Sequence, residues 1–461
     1  MIPVTSYRSR KVAVLGLGRS GRSTARSLRA GGAEVLAWDD AETARAALAA
    51  DGIDAVDPAA WPWSDIAALV LSPGIPHTHP TPHPVATAAK AAQVPIIGDV
   101  DLLFQACPEA AFIGITGTNG KSTTTALVGH ILELAGRAVQ VGGNLGTPVL
   151  DLAPLGADGI YVLEMSSYQL ELTPNARFDV AALLNITPDH LDRHGGFEGY
   201  KAAKLRIFEN QPDDGVAVIG IDDSDTASIL NDLRESGASR RLFAVSGEQV
   251  VESGCHAVDG QLTDATETRP MAIRDLRAVP TLPGSHNAQN AATACAIARA
   301  VGVPPYQIGA GIGTYPGLPH RQEPVALING ISYVNDSKAT NPEAAARALA
   351  SYDSVYWIAG GRAKDGPLEA LTPYLSHVRH AYLIGEAAPR FAAELGDRIP
   401  TTLSGDLPHA LRAAHERAEQ NGVHCSVVLL SPACASFDQF ASFEDRGDAF
   451  RQLVHELESA A

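Results

Sequence analysis

Residues 111–123 have the sequence AFIGITGTNGKST, in which an apolar run leads into a glycine-rich turn and then into a helical pattern. The run Ala111–Ile115 predicts a buried strand, and the pattern from Lys121 to about Leu134 predicts a helix. A glycine-rich turn between a strand and a helix presents backbone N–H groups that can hold phosphates. The stretch therefore predicts an α/β fold with a nucleotide site.

The turn is a variant of the P-loop, because the strict pattern has a glycine where Ile115 stands. We expect Lys121 to meet the outer phosphates of ATP and the hydroxyl of Ser122 to hold Mg²⁺. The alternative without function is a glycine-rich turn that carries an exposed lysine. The predicted ATP-binding residues of the turn are Gly117, Thr118, Asn119, Gly120, Lys121, Ser122 and Thr123.

Strand-like and helix-like segments alternate along the chain, which predicts parallel sheets covered by helices. A Pro/His-rich loop at 73–84 interrupts the first series, and an Ala-rich helix predicted over 288–301 ends near a second boundary. We predict three consecutive α/β domains: a Rossmann-like domain over 1–100, a central P-loop ATPase-like domain over 101–304 and a C-terminal Rossmann-like domain over 305–461.

The amino-acid composition of the chain argues against several classes of function. Of 461 residues 45% are hydrophobic, which excludes wholesale disorder. With 35 basic and 52 acidic residues the net charge is −17, which argues against a nucleic-acid or anionic-membrane partner. The five cysteines have no CxxC spacing, so neither a disulfide scaffold nor a structural zinc site is expected. No apolar run approaches about 18 residues, so we expect a cytoplasmic protein without a membrane span.

A second glycine-rich turn lies near the N terminus, where Gly16-Leu-Gly18-Arg-Ser-Gly21 follows a predicted strand and opens a predicted helix. With Asp39 at the end of the next strand, this arrangement is typical of dinucleotide-binding sites. The pattern alone leaves three alternatives open: some diphosphate ligand, NAD(P) itself, or a tight turn that serves packing.

Three later segments carry groups suited to metal-assisted phosphoryl transfer. Glu164 ends an apolar strand, where the sites of α/β proteins lie. The segment Asn185–His194 offers several oxygen and imidazole ligands after another strand, although a solvated loop would look similar. Lys201 and Lys204 are three residues apart and share a helix face, for which an ordinary solvated face is the alternative.

Together these segments resemble the Mur ligases, ATP-dependent enzymes that form amide bonds in peptidoglycan precursor synthesis. The resemblance rests on Gly117–Thr123, the Glu164-x-Ser-Ser element, Asp189-His-x-Asp192 and the helix with Lys204, and it covers essentially the whole chain. The Asp-Asn-Pro-Arg element expected of members that add a diamino acid or lysine is absent. The stretches that favour members adding D-glutamate are Gly317–Arg321, Asn335–Asn341 and Leu430–Phe440.

The resemblance implies a ligase that joins D-glutamate to the L-alanyl carboxylate of UDP-N-acetylmuramoyl-L-alanine through an acyl phosphate. The implied cofactors are ATP and two Mg²⁺ ions, with a carbamylated Lys204 as an anion in the metal site. We expect small-molecule substrates only, and a monomer. The implied catalytic residues are Lys121, Glu164, His190 and Lys204, and the implied metal ligands are Ser122, Glu164, His190 and Lys204.

The resemblance also implies which residues bind the substrates. Uridine diphosphate rather than NAD would occupy the N-terminal turn, and the UDP-substrate residues are Gly18, Arg19, Ser20, Gly21, Asp39, Ser72, Pro73, Gly74, Asn144, Ser166 and Gln169. Asn287 and Asn290 would hold the adenine, Arg321 the phosphates and Asp336 the ribose of ATP. The D-glutamate residues are Thr340, Lys364, Ser436 and Phe443.

Other functions stay open at this level. An NAD(P)-dependent oxidoreductase with a P-loop accessory domain would explain Gly16–Gly21 and Asp39, but it would leave the residues of the third domain unused. Another Mur ligase, a folylpolyglutamate-type ligase and a non-catalytic nucleotide-binding regulator are the remaining alternatives.

Overall fold

The computed structural model describes residues 1–237, 239–363, 368–423 and 425–460, whose strands form three sheets in two compact units. The first unit consists of Met1–Leu276 and His286–Thr314 and contains two sheets. The second consists of Arg277–Ser285 and the described residues from Tyr315 onward and contains the third sheet. In the described part of the chain, no helix has the length and apolar character that crossing a bilayer requires.

The N-terminal sheet is formed by β1 (Lys11–Leu15), β2 (Glu34–Trp38), β3 (Ile66–Leu71) and β4 (Ile96–Ile97). All four strands run parallel in the order β2-β1-β3-β4, and β1 is buried over most of its length. The helices of this region are α1 (Arg19–Ala30), α2 (Glu42–Ala50), α3 (Pro84–Ala91) and α4 (Asp99–Ala106).

The central sheet has nine strands in the order β13-β12-β11-β10-β9-β8-β5-β7-β6. They are β5 (Ala111–Thr116), β6 (Ala138–Gly143), β7 (Gly159–Glu164), β8 (Val180–Leu183), β9 (Val216–Gly220), β10 (Arg241–Ser246), β11 (Gly254–Val258), β12 (Gln261–Ala265) and β13 (Met271–Asp275). The strand β12 pairs antiparallel with both β11 and β13, and the other neighbouring strands pair in parallel. The helices are α5 (Lys121–Leu134), α6 (Ser167–Glu171), α7 (Leu191–His194), α8 (Phe197–Leu205), α9 (Ser224–Glu235), α10 (Ser285–Ala300) and α11 (Pro305–Gly313).

The order of the central strands determines where a site can form. β5 lies between β7 and β8 and pairs in parallel with both. The carboxyl ends of these buried apolar strands therefore meet at one edge of the sheet, where parallel α/β proteins bind their ligands. The glycine turn follows β5 and Glu164 ends β7 at this edge.

The third sheet contains β14 (Glu323–Ile328), β15 (Ile331–Asn335), β16 (Val355–Gly360), β17 (Val378–Ile384), β18 (Thr401–Gly405) and β19 (Val427–Leu430). Their order is β14-β15-β19-β16-β17-β18, and only the edge strand β14 is antiparallel. The helices are α12 (Pro342–Ala350), α13 (Ala388–Leu395), α14 (Leu407–Asn421) and α15 (Phe443–Ala460). The predicted α/β class is thus confirmed, whereas the domain boundaries at 100 and 304 stay predictions.

Candidate active site

The glycine turn at 117–120 joins β5 to α5 at the carboxyl edge of the central sheet. Gly120 has a φ of 85°, and a Cβ at this position would collide with Oδ1 of Asn290. The backbone N–H of Asn119 donates to Oδ1 of Asn185 at 2.8 Å, and Nδ2 of Asn185 donates to the carbonyl of Asn119 at 3.1 Å. These reciprocal amide bonds fix the shape of the turn.

Two lysine side chains converge on one carbonyl of this turn. Nζ of Lys121 donates to the carbonyl oxygens of Gly117 and Thr118, both at 2.9 Å, and Nζ of Lys204 donates to that of Gly117 at 2.8 Å. Lys204 is only 1% exposed. Burial, with the neighbouring charge of Lys121, lowers the pKa of Lys204 to about 6. The alternative of a solvated helix face is therefore wrong for Lys204.

Glu164 presents a carboxylate beside the lysines. Its Oε1 accepts a hydrogen bond from Nδ2 of Asn144 at 2.7 Å, and its backbone carbonyl accepts one from the N–H of Asn144 at 2.9 Å. Its Oε2 is buried and has no hydrogen-bond partner among the described residues. Burying a carboxylate oxygen without a partner is unfavourable, and a cation or a hydrogen-bond donor would stabilise it. Glu164 is therefore well suited to bind a metal ion.

Ser166 and Gln169 lie directly after Glu164 and form a capping box on α6. Oγ of Ser166 accepts from the N–H of Gln169 at 3.2 Å, and Oε1 of Gln169 accepts from the N–H of Ser166 at 3.1 Å. The two side chains are thereby fixed by each other. The structure thus brings four of the predicted residues together at the end of β7: Asn144, Glu164, Ser166 and Gln169.

His190 is the most exposed of the predicted metal ligands. Its side chain is 51% exposed, and Nε2 lies 3.5 Å from Oδ2 of Asp189. Within the described part of the chain, no three His, Cys, Asp or Glu side chains are grouped closely enough to hold a metal ion by themselves. A metal site at this edge therefore needs further ligands, such as a hydroxyl group, phosphate oxygens or a modified lysine.

The two asparagines of α10 pack against the same turn. Oδ1 of Asn290 accepts from Oγ1 of Thr124 at 3.2 Å, and Nδ2 of Asn290 donates to Oδ1 of Asn287 at 3.0 Å. Both asparagines are buried, as are Ser122 and Thr123 in the first turn of α5. The structure therefore gathers the predicted ATP residues of the first unit around one turn.

The N-terminal glycine turn gathers a second group of predicted residues. A Cβ on Gly21 would overlap the carbonyl oxygen of Gly16, so this position requires glycine. The carboxylate of Asp39 accepts from the N–H of Leu17 at 2.6 Å, and Oγ of Ser72 donates to the carbonyl of Gly16 at 3.0 Å. The predicted residues that line a small pocket at this turn are Ser20, Gly21, Ser72 and Pro73, while Gly18, Arg19 and Gly74 are exposed.

Sequence reasoning missed Asp99, which lines the same pocket as the N-terminal turn. The side chain is buried, and burial raises the pKa of Asp99 to about 6. Asp99 lies at the start of α4, where an acidic residue is common for reasons of the helix dipole alone, so the local pattern carried no functional signal.

In the second unit, Asp336 is buried and holds two neighbouring segments. Oδ1 accepts from the N–H of Gln322 at 3.1 Å, and Oδ2 accepts from Oγ of Ser431 at 2.7 Å. Burial raises the pKa of Asp336 to about 7. The carboxylate thereby fixes the backbone next to Arg321, the residue predicted to face the ATP phosphates.

Two of the predicted D-glutamate residues, Thr340 and Phe443, lie in segments that contact each other. Oγ of Ser337 donates to the carbonyl of Phe443 at 2.8 Å, and Nζ of Lys338 lies 5.0 Å from the centroid of the Phe443 ring. Thr340 follows in the same turn, where its N–H donates to the carbonyl of Lys338. The structure therefore places Thr340 and Phe443 on neighbouring stretches of the chain.

Ser436 is buried beside the chain that leads toward Lys364. The backbones of Arg362 and Ala435 exchange two hydrogen bonds of 2.8 and 3.0 Å. Lys364 itself lies outside the described residues. Sequence reasoning also missed Arg446, which is 1% exposed and donates to Oγ of Ser337 at 2.9 Å. Its partners are far away in sequence, so no local pattern marked it.

Comparison with known proteins agrees with this geometry. Residues 115–298 match the Mur ligase middle domain, and residues 320–434 match the Mur ligase, glutamate ligase domain. A UDP-N-acetylmuramoylalanine--D-glutamate ligase of Rhodospirillum rubrum is 52% identical over 99% of this chain and 97% of its own length. The relative of that name from Paramagnetospirillum magneticum is 51% identical over 98% of both chains.

A solved structure of UDP-N-acetylmuramoyl-L-alanyl-D-glutamate--2,6-diaminopimelate ligase has the same fold. Its TM-score is 0.58 at 18% identity, over 99% of this chain and 94% of that chain. The sequence relatives, which are far more similar, span nearly the full length, and the two domain matches contain Lys121, Glu164, Lys204 and Asp336. The chain therefore belongs to the Mur ligase family.

Proposed function

We propose that this chain is the ATP-dependent ligase that joins D-glutamate to the L-alanyl carboxylate of UDP-N-acetylmuramoyl-L-alanine in peptidoglycan precursor synthesis. The full-length similarity to relatives named for that reaction supports the proposal. The observation that carries it is the convergence of Lys121 and Lys204 on the carbonyl of Gly117, beside the buried carboxylate of Glu164.

The reaction needs an activated acid, because a carboxylate has no good leaving group. Attack of a carboxylate oxygen on the γ-phosphorus of ATP breaks the bond to ADP and gives an acyl phosphate. The amine of D-glutamate then adds to the acyl carbon, loses a proton and expels phosphate, which leaves the amide. Lys121 would exchange its bonds to the turn for phosphate oxygens and would stabilise their charge, while Asn144 and Ser166 position the acid.

The residues around the turn fit Mg²⁺, which prefers oxygen ligands. Oε2 of Glu164 is buried without a described hydrogen-bond partner, and the hydroxyl of Ser122 lies on the first turn of α5. Glu164 and Ser122 would hold one ion, and His190 with Lys204 would hold the second. The bound ions neutralise charge on the phosphates.

We propose further that Lys204 is carbamylated. Burial favours the neutral form of its amine, and a neutral amine can attack CO₂ and release one proton to give a carbamate anion. The modification would convert a neutral amine into an anion, which would attract the ammonium group of Lys121. It would also supply oxygen ligands, which no unmodified lysine can offer.

The remaining assignments belong to the same proposal. The uridine diphosphate would lie at the N-terminal turn, where α1 begins without an acidic residue in its first turn. Adenine would contact Asn287 and Asn290, and D-glutamate would contact residues of the second unit. The three segments 1–100, 101–304 and 305–461 would then correspond to three substrate-binding domains.

An ADP-release assay with the purified full chain tests the proposal. Sustained release of ADP over many turnovers should require ATP, Mg²⁺, UDP-N-acetylmuramoyl-L-alanine and D-glutamate together. Equal rates without D-glutamate, or turnover of NADH, would contradict it. A clear preference for another amino acid would assign the chain to a different reaction of the family.

A further inference from the structure

A polar network in the first unit joins the loop after Ser72 to helix α6, and the chemistry proposed above does not use it. Its centre is Arg193, whose side chain is only 9% exposed. Nη2 of Arg193 donates to the carbonyl of Ile75 at 3.0 Å, and Nη1 donates to that of His79 at 3.4 Å. Arg193 thus holds the backbone of the Pro/His-rich loop at two points.

Glu171 connects Arg193 to α6. Its Oε2 lies 3.7 Å from Nη1 of Arg193, and its Oε1 lies 3.1 Å from Nδ1 of His194. Nε2 of His194, a fully buried side chain, lies 2.9 Å from Oγ of Ser167. Burial alone would raise the pKa of Glu171, but the hydrogen bond to His194 and the neighbouring charges hold that pKa below its usual value. The carboxylate is therefore ionised opposite Arg193.

The network joins two parts of one proposed binding site. Ser167 and Glu171 are the first and last residues of α6, the helix that carries Gln169 and is capped by Ser166. The loop held by Arg193 begins directly after Ser72–Gly74. Under the proposed function, Ser166 and Gln169 would face the muramoyl-alanine end of the substrate, and Ser72–Gly74 would face its nucleotide end.

We infer that Arg193 is a positioning residue for the UDP-linked substrate. It holds the loop at Ile75 and His79 while it is paired with Glu171. Arg193 thereby keeps Ser72–Gly74 at a fixed position relative to Ser166 and Gln169. The inference rests on the proposed function. Loss of Arg193 should weaken binding of the UDP-linked substrate, because the two ends of that ligand would no longer meet a fixed pair of surfaces. The affinity for ATP should change little, since the network makes no described bond to the P-loop turn.

Arg26 offers a matched control. It donates to both carboxylate oxygens of Asp151, at 3.0 and 3.1 Å, and so also ties the N-terminal region to the central part of the chain. Arg26→Met removes an arginine–carboxylate ion pair that, like that of Arg193, joins distant segments of the chain. It changes no bond to the loop at 72–79. A merely structural role for Arg193 would make the two substitutions behave alike.

The test compares wild type, Arg193→Met, Arg193→Lys and Arg26→Met by KM for each substrate, by calorimetric binding of UDP-N-acetylmuramoyl-L-alanine and by urea unfolding. For Arg193→Met we expect KM for the UDP-linked substrate to rise about tenfold and KM for ATP to change less than about twofold. Arg193→Lys should be intermediate, because it keeps the charge but not the forked geometry. Arg26→Met should lower only the stability.

Parallel changes in all KM values, an unchanged KM for the UDP-linked substrate, or the same KM pattern for Arg26→Met would overturn the inference. If Arg193→Met does not fold, Arg193→Lys carries the same comparison. If the wild type is active and the variants give one of these results, only the positioning role of Arg193 is refuted. A wild type that neither binds the UDP-linked substrate nor releases ADP refutes the proposed function, and the positioning role with it.

Discussion

The two glycine-rich turns of this chain share a backbone plan, but the side chains around them differ. At the N-terminal turn, Asp39 and Ser72 bond to the backbone of the turn itself and stabilise its shape. At the central turn, Lys121 and Lys204 bring two amine groups to the carbonyl of Gly117. The first arrangement is suited to holding a diphosphate, and the second to moving a phosphoryl group.

The difference shows where the chemistry of such a turn originates. A strand, a glycine turn and a helix provide N–H groups and a helix dipole that hold an anion. Lys204 and Glu164 reach the central turn from α8 and β7, which follow it in sequence. Under the proposed function, these residues rather than the glycines would distinguish a turn that performs chemistry from one that only binds.

The largest effect is expected at Lys121, the first helical residue after the central turn. Lys121→Ala should lower kcat by about a thousandfold or more while leaving the fold intact, because the cation at the outer phosphates is lost. The matched change Arg19→Ala, at the same position of α1, should raise KM for the UDP-linked substrate only a few-fold, since Arg19 is exposed and its charge is screened.

Steady-state kinetics and circular dichroism on both variants check this prediction. Near-normal turnover of Lys121→Ala would show that the central turn is only a tight turn without catalytic function. An equally severe loss of kcat in Arg19→Ala would remove the functional difference between the two turns.

The next effect concerns Lys204. Lys204→Ala and Lys204→Arg should both lose about a hundredfold or more in kcat, because neither side chain can carry the carbamate. Added short-chain carboxylates should partly restore Lys204→Ala by placing an anion in the emptied space. The control is Lys201→Ala on the same helix face, whose Nζ lies 3.4 Å from Asp225, and it should stay active.

The carbamate proposal fails if Lys204→Arg is fully active. It fails equally if a structure with both metal ions bound contains an unmodified ammonium group on Lys204. Rescue of Lys204→Ala by neutral amines but not by carboxylates would also contradict it, because the restored group would then be a base rather than an anion.

A smaller effect is expected from glycines of the N-terminal turn. Gly21→Ala should destabilise the chain by about 1–3 kcal/mol, because its Cβ would overlap the carbonyl oxygen of Gly16. Gly18→Ala should stay within about 0.5 kcal/mol of wild type, since no atom lies within 4 Å of a Cβ there. Urea unfolding measures both, and equal stabilities would show that close packing does not define this turn.

Much of the fold follows from local patterns. Apolar runs bounded by turn residues correctly predicted β5, β7 and β8, and the predicted helix from Lys121 to Leu134 matches α5. The strand β13 was not predicted, because its residues are partly or fully exposed and form no long apolar run. The same reason applies to the edge strand β18, whose residues are mostly partly or fully exposed.

The sequence predicts those site residues that lie in motifs. It does not predict those whose place in the site depends on contacts between segments far apart in the chain. The P-loop turn and Glu164 follow from strand-end patterns. The burial of Lys204 does not follow from helical spacing, since only the tertiary fold shows which helix face is covered. Likewise, the bonds of Arg193 to Ile75 and His79 join segments that are far apart in the sequence.

The route through an acyl phosphate can be tested by following a single oxygen atom. The substrate is prepared with ¹⁸O at both oxygens of its L-alanyl carboxylate, and the phosphate released during complete turnover is analysed by mass spectrometry. We predict one ¹⁸O atom in each phosphate, because the carboxylate oxygen that attacks the γ-phosphorus departs with it. Phosphate without the label would contradict this mechanism, since its fourth oxygen would then have come from water.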